Sequence, residues 1–271
     1  MPALSPAQLG RQVLGKVFPQ SLYLALARAY GRSVSRRQIG ATEYRRLQRL
    51  AEAPIGGEAE SFEAPGLPHS VWVRPGTTDA LVFEGNILRR TYDCFTLSTP
   101  PKLIVDAGVN VGYASAFLLN KFPTARVIGL EPDNGNCAMA QRNLEPFQER
   151  VDLRQLGLWS RPAKLKVTVG DRADGIQVHE AEDNENFDCE GIDLHTLLNE
   201  APEDRIDIFK CDIEGAERYI FEADCDPWLQ KTDLVAIEVH DQPSHDAVYG
   251  AMARNGFSNY RHRELHIFHR Q

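Results

Sequence analysis

Cysteine is scarce in this chain: Cys94, Cys137, Cys189, Cys211 and Cys225 are odd in number and form no C-x-x-C pair. That excludes a disulfide framework and a zinc knot, and it leaves reduced, structural thiols of a cytosolic protein. No stretch comes near the roughly 18 consecutive apolar residues of a membrane span, and no apolar h-region of a signal peptide follows the first residues. Positive charge is in deficit overall, the net charge being −8, which argues against sequence-independent nucleic-acid binding because phosphate contact needs a basic face. G-x-S-x-G, P-loop and H-E-x-x-H patterns are missing as well, and with them the chemistries those patterns serve. A soluble, cytoplasmic protein is expected.

What is there divides unevenly. The 271 residues suffice for one α/β domain with additional N-terminal structure. From Arg11 to Arg49, the residues Arg11, Lys16, Arg28, Arg32, Arg36, Arg37, Arg45, Arg46 and Arg49 face Glu43 alone. Helical spacing of Leu9, Val13, Leu14 and Val17 behind Ser5-Pro6, a second pattern over Leu22–Tyr30 and a third over Thr42–Ala51 predict a basic helical extension over residues 1–60. It ends at the linker Pro54-Ile55-Gly56-Gly57. Two roles are open to it: helices packed on the body with a solvated basic face, or a basic arm on an anionic membrane surface or substrate. Residues 61–271 form the other domain.

That domain is organised around Leu103–Ser115. An apolar run ends in Asp106, crosses Gly108 and Gly112 and continues in helix-forming residues, which reads as strand, tight turn and helix. The order D-x-G-x-N-x-G differs from the dinucleotide fingerprint G-x-G-x-x-G. A carboxylate ahead of the first glycine repels phosphate and suits a cationic ligand such as S-adenosylmethionine; the bland reading is a turn without ligand. Upstream, Ser70–Asp79 reads as a strand entering a Pro-Gly turn, where Arg74 and Asp79 either pair or lie on the cofactor side. From Lys102 strands and helices alternate, the pattern of a parallel sheet covered on both faces. An acidic, mobile loop is expected over Asp171–Asp188, and a closing hairpin over Phe257–Tyr260 and Leu265–Phe268.

Three sets of charges stand at strand ends. Glu131, about twenty residues beyond the glycine corner, is placed to accept both hydroxyls of a ribose. Lys210, Asp212, Glu214 and Glu217 crowd the end of a fourth strand, where charge is costly unless it pairs or works. Glu238 and His240 share a face of the fifth strand. Together with Asp212 they read either as a general base for a hydroxyl or as ligands of a divalent cation. His262, His266 and His269 keep no common spacing and do not read as a zinc site.

The segment from Val71 onward resembles the FkbM family of S-adenosylmethionine-dependent methyltransferases. The likeness rests on R-P-G-T-x-D at Arg74–Asp79, D-x-G-x-N-x-G-Y at Asp106–Tyr113, E-P-D-N at Glu131–Asn134, K-x-D-x-E-G-x-E at Lys210–Glu217 and E-V-H at Glu238–His240. The resemblance implies an α/β class I methyltransferase fold: a Rossmann-like sheet of about seven strands, the last antiparallel, with helices on both faces. It implies methyl transfer to an oxygen of a sugar, glycan or secondary metabolite. Asp106, Gly108, Asn110 and Gly112 would hold the amino-acid end of the cofactor, Glu131 its ribose, and Asp212 and Glu214 the reacting centre. Where the family reads leucine and aspartate ahead of a helix, Asp193 or His195 stands here.

The expected base is His240, with Lys210 second should burial lower its pKa; a divalent cation such as Mg on Asp212, Glu238 and His240 is the alternative. Two other classes stay open: an adenosyl-cofactor-binding protein without methyl transfer, and a nicotinamide-dependent oxidoreductase. The acceptor pocket is expected from the basic head, the acidic loop and the final hairpin.

Overall fold

The computed structural model describes residues 20–169, 176–182 and 185–270; the helix expected at Leu9–Val17 lies outside them. The chain enters as α1 (Gln20–Ala51), bent at Gly40, where φ of 79° and ψ of 163° interrupt the helix. The patterns over Leu22–Tyr30 and Thr42–Ala51 are therefore two arms of one bent helix. Strands β1 (Glu60–Phe62) and β2 (Val71–Val73) pair antiparallel. Helix α2 (Asp79–Phe83) runs into a π-helical turn over Glu84–Leu88.

Alternation then sets in with β3 (Leu103–Ala107), α3 (Tyr113–Lys121), β4 (Arg126–Leu130), α4 (Asn134–Leu144) and β5 (Val151–Arg154). A side excursion supplies β6 (Leu156–Leu158), β7 (Ala163–Val169), β8 (Ile176–Glu180) and β9 (Cys189–Ile192). The chain returns through α5 (Leu194–Glu200), β10 (Ile206–Cys211), α6 (Glu217–Glu222), α7 (Asp226–Leu229) and β11 (Thr232–Ile237). It closes with α8 (Gln242–Arg254), β12 (Phe257–His262) and β13 (Leu265–Arg270).

Seven strands form the main sheet in the order β12-β13-β11-β10-β3-β4-β5. The strands from β11 to β5 are parallel, and β13 runs antiparallel to β11. This is the doubly wound, Rossmann-like α/β sheet with an antiparallel last strand expected of a class I methyltransferase. Side-chain alternation along each strand sorts the core into two layers. Ile104, Val127, Ile208 and Leu234 face α3 and α4, while Leu103, Val105, Ile128, Phe209 and Val235 face the layer of α5 to α8. Leu47 and Leu50 of α1 are buried in the first layer with Val71, Val73 and Phe83, each burial contributing about 1.5–3 kcal/mol. The end of the basic extension is thus built into the body's core.

β6 to β9 make a separate four-stranded sheet with its own small core of Trp159, Leu165, Cys189 and Ala216. Of the loop expected over Asp171–Asp188, residues 171–175 and 183–184 lie outside the described residues, and Ile176–Glu180 is a strand that pairs with β7 along its length. Ile176 and Val178 are too few apolar groups to announce a strand; the partner β7 supplies the template. Asp193 caps α5, accepting from the Thr196 N–H at 2.8 Å, and His195 is exposed. No helix among the described residues is long and apolar enough to cross a membrane.

Strand order reverses beside β3, which has β4 on one side and β10 on the other. Ligands of open α/β sheets bind in the crevice outside the carboxyl ends at such a point.

Candidate active site

The turn after β3 is shaped by left-handed backbone at Gly108 (φ 77°), Asn110 (φ 53°) and Gly112 (φ 88°). Asparagine is among the few residues with a side chain that visit this region readily. A Cβ on Gly108 would stand 1.8 Å from the carbonyl oxygen of Asp212, so the turn after β3 and the exit of β10 touch backbone to side-chain-free backbone. Gly112 does different work from that expected. A Cβ there would meet Leu144 at 3.1 Å and Ala140 at 3.3 Å; the glycine lets α3 pack on α4 and does not reach the cleft.

Asp106 and Lys210 are direct partners in the parallel ladder of β3 and β10, and both are buried. Lys210 Nζ lies 3.0 Å from Asp106 Oδ1 and donates to the Gly108 carbonyl at 2.5 Å. Ser115 Oγ donates to Asp106 Oδ2 at 2.5 Å. Two expectations are corrected by this geometry. Asp106 is buried beneath the turn, paired with Lys210 and Ser115, and does not line the cavity above it. Lys210 is held as an ammonium: burial alone would lower its pKa, but the charge of Asp106 outweighs that and keeps it well above its ordinary range, which runs against a role as base.

Above the turn opens a cavity of about 680 Å³, within the ~300–1,000 Å³ usual for small-molecule sites. Gly108, Asn110 and Glu131 line it, as do Arg74, Thr77, Thr78, Asp133, Asn136, Leu158, Val178, Asp212, Ile213 and Glu214. Glu131, 3 % exposed, is fixed by backbone donors: Asn110 N–H to Oε2 at 2.7 Å and Asp133 N–H to Oε1 at 3.0 Å. Burial raises its pKa to about 7, against the pull of those hydrogen bonds.

Asp79 does not line the cavity. Its carboxylate is buried and takes a two-pronged contact from Arg74, Nε to Oδ2 and Nη2 to Oδ1, each 2.8 Å. Arg74 Nη2 also donates to Asn136 Oδ1 at 2.7 Å. Asp79 therefore anchors Arg74, and Arg74 faces the cavity and ties the strand of β2 to the start of α4.

Across the cleft stand Asp212 and Glu214. His240, just beyond β11, reaches both from behind: Nε2 lies 3.6 Å from Asp212 Oδ1 and 3.3 Å from Glu214 Oε2. Its Nδ1 is 2.8 Å from Oε1 of the fully buried Glu217. Burial opposes charge on the imidazole, but the Glu217 hydrogen bond and the carboxylates of Glu217, Glu214 and Asp212 prevail and raise its pKa to about 9. These carboxylates favour the imidazolium at neutral pH, which runs against the expectation of His240 as a free base. Glu238 is pushed up to about 7 by burial and then by the charge of Asp212. One ligand atom each from Asp212, Glu214 and His240 lie within 4.8 Å of one another, the one such group of three among the described residues. Glu214 stands where Glu238 was expected in that set.

The model of the methyltransferase FkbM domain matches residues 106–259, which run from the glycine corner to β12. The chain belongs to the FkbM methyltransferase family. Methyltransferase 1 of Beauveria bassiana is 27% identical over 173 residues, covering 55% of this FkbM chain and 69% of that protein. AMB antimetabolite synthetase AmbE of Pseudomonas aeruginosa is 24% identical over 203 residues, covering 58% of this chain and 10% of its own length. Methyltransferase FkbM from Methylobacillus flagellatus aligns over 71% of this chain and 53% of its own, at 14% identity and a TM-score of 0.48.

In this FkbM methyltransferase, three of the six residues expected to hold the cofactor, Gly108, Asn110 and Glu131, line the cavity. Asp106, Gly112 and Asp79 support it from beneath. Asp133 and Asn136 went unassigned, although Asp133 follows Glu131 by two positions in E-P-D-N and the helix it caps carries Asn136 one turn on. Leu158 and Val178 had no signal, because the small sheet that carries them was not legible. The closing hairpin adds no residue to this cavity's lining, and β8 and Ile55 of the linker do.

Proposed function

We propose that this FkbM methyltransferase transfers the methyl group of S-adenosylmethionine to a hydroxyl oxygen of a sugar, glycan or secondary metabolite. One observation carries the reading: a buried carboxylate, Glu131, is fixed by two backbone donors on the wall of a closed corner, with Asp212 and Glu214 across the same cavity. When bound, S-adenosylmethionine supplies a methyl group on a cationic sulfur. Glu131 accepts the two ribose hydroxyls, the Gly108–Asn110 turn lets the ligand lie against the main chain, and the carboxylates of Asp212 and Glu214 favour the positive charge. Asp212 and Glu214 orient the acceptor hydroxyl, and one of the two carboxylates takes its proton as the sulfur–methyl bond breaks and the oxygen–methyl bond forms, leaving neutral S-adenosylhomocysteine; His240, held by Glu217, fixes both carboxylates. Positioning of this kind supplies much of the barrier lowering in a displacement between two aligned reactants.

Calorimetry with S-adenosylhomocysteine and NAD tests the cofactor, and methyl transfer from labelled cofactor into cell extract, read by mass analysis, tests the acceptor. Tight NAD binding with none of the adenosyl ligand overturns the proposal. Glu131→Gln is expected to weaken S-adenosylhomocysteine about 10- to 100-fold, since hydrogen bonds to a charged group are worth ~1.5–3 kcal/mol. Because the ionised form of Glu131 accepts the hydroxyls and its pKa is raised to about 7, affinity should fall as pH drops through 7, by about tenfold per unit well below it. A flat pH profile in wild type would remove Glu131 from the ribose.

A second reading has Asp212, Glu214 and His240 hold a divalent cation, as their mutual approach within 4.8 Å allows; the two carboxylates suit Mg or Mn, and the imidazole favours a transition ion over Mg. Held there, a cation would acidify the acceptor hydroxyl. Loss of methyl transfer on dialysis against a chelator, restored by added Mg, supports this reading, and unchanged transfer eliminates it.

A further inference from the structure

The bend in α1 makes a second site, remote from the chemistry described above. Gly40 turns the two arms of the helix toward each other, and a groove of about 420 Å³ lies in the bend. Arg32 and Arg36 wall it from the first arm and Arg45 from the second, over a floor that includes the buried Tyr44. Each pair at i, i+4 spacing lies on one helix face, so Arg45 is followed along its arm by Arg49. A second hollow, sharing Arg45 and Gln48 with the first, adds Arg49 and Thr42 and is bounded by the carboxylate of Glu52, so the first groove, whose lining holds no acid, is the candidate anion site.

These arginines differ from their neighbour Arg46. Arg46 is saturated, donating to Glu43, Glu60 and the Ser61 carbonyl. Arg32, Arg36, Arg45 and Arg49 are exposed, and among the described residues no carboxylate forms a salt bridge with any of them. From Phe18 to Pro101 the chain holds arginine and no lysine. An ordinary solvated face has no reason to exclude lysine, whereas the planar guanidinium fork matches phosphate oxygens two at a time. The protein as a whole is acidic, so the patch is not a by-product of composition.

We infer that the bend of α1 binds a phosphate or pyrophosphate group. A concave groove with arginines on both walls encloses a compact polyanion; a flat surface would reach only the outer ones. The second arm leads directly into Ile55, which lines the candidate active-site cavity. The phosphate belongs either to a molecule free in solution or to the headgroup of a lipid. The inference does not depend on methyl transfer, because binding is read directly.

The test is calorimetry of the full chain with inorganic pyrophosphate, beside flotation with vesicles of phosphatidylcholine, with and without phosphatidic acid. Pyrophosphate binding that weakens as salt rises from 50 to 500 mM, and that Arg36→Gln/Arg45→Gln weakens at least tenfold, is the expected result. Binding only to phosphatidic acid vesicles, lost in the same variant, supports the site with lipid as its source. Arg126→Gln, an exposed control elsewhere, should change nothing. Binding of neither probe, or equal binding by the double variant with an unchanged thermal melt, overturns the inference.

Discussion

Lys210→Met is expected to destabilise the protein by about 3–5 kcal/mol, the cost of leaving one member of a buried ion pair without its partner. Asp106 would retain Ser115 alone, and the Gly108 carbonyl would lose its donor. The double variant Asp106→Leu/Lys210→Met should lose less than the single one, because no charge is stranded. Urea unfolding of the three proteins measures this directly. A loss below about 1 kcal/mol for Lys210→Met would return the lysine to the list of reacting groups, since only a solvated or functional charge comes out so cheaply. The same variant should also loosen the glycine corner, so residual folded protein is expected to bind S-adenosylhomocysteine poorly.

The second large effect concerns turnover. Asp212→Asn and Glu214→Gln line the cavity without building its nucleoside wall, so each should lower the rate of methyl transfer by about 10²–10⁴-fold if its carboxylate takes the acceptor's proton. Cofactor affinity should change far less. His240→Ala distinguishes the roles: as a cation that holds both carboxylates, it should depress the rate without creating a new titration near pH 9. Were His240 itself the base, the wild-type rate would climb through pH 9, as the imidazolium loses its proton, and the climb would vanish in the variant. A rate unaffected by either carboxylate substitution would remove the proposed proton acceptors.

The sheet, the glycine corner and Glu131 were legible because each is written locally: apolar runs at strand length, two glycines four apart, an acid at a strand end. What the charged residues do with one another was not. Lys210 and Asp106 are more than a hundred positions apart, and only the register of β10 on β3 makes them neighbours. Asp79 read as a ligand group because it stands ahead of the corner; its burial under Arg74 comes from the turn between them. Gly112 and Gly108 look alike in sequence, yet one faces Leu144 and the other the Asp212 carbonyl. The strand β8 escaped notice since its apolar content is low and its partner lies across an acidic stretch. In sequence Glu217 reads as one charge among four; its contact with His240, 23 positions on, exists only once α6 is packed beside the exit of β11.

The contact between Gly108 and the Asp212 carbonyl has a mechanical side. With no room for a single methyl group between them, the turn that carries Asn110 and the strand exit that carries Asp212 and Glu214 are joined backbone to backbone. The opposite lip has no such joint: Ile55, Thr77, Thr78 and Val178 come from the linker, from the turn after β2 and from the small sheet. Cross-linking that lip is therefore expected to slow the exchange of a bound ligand more than cross-linking the floor, as dissociation rates of the two cross-linked proteins would show.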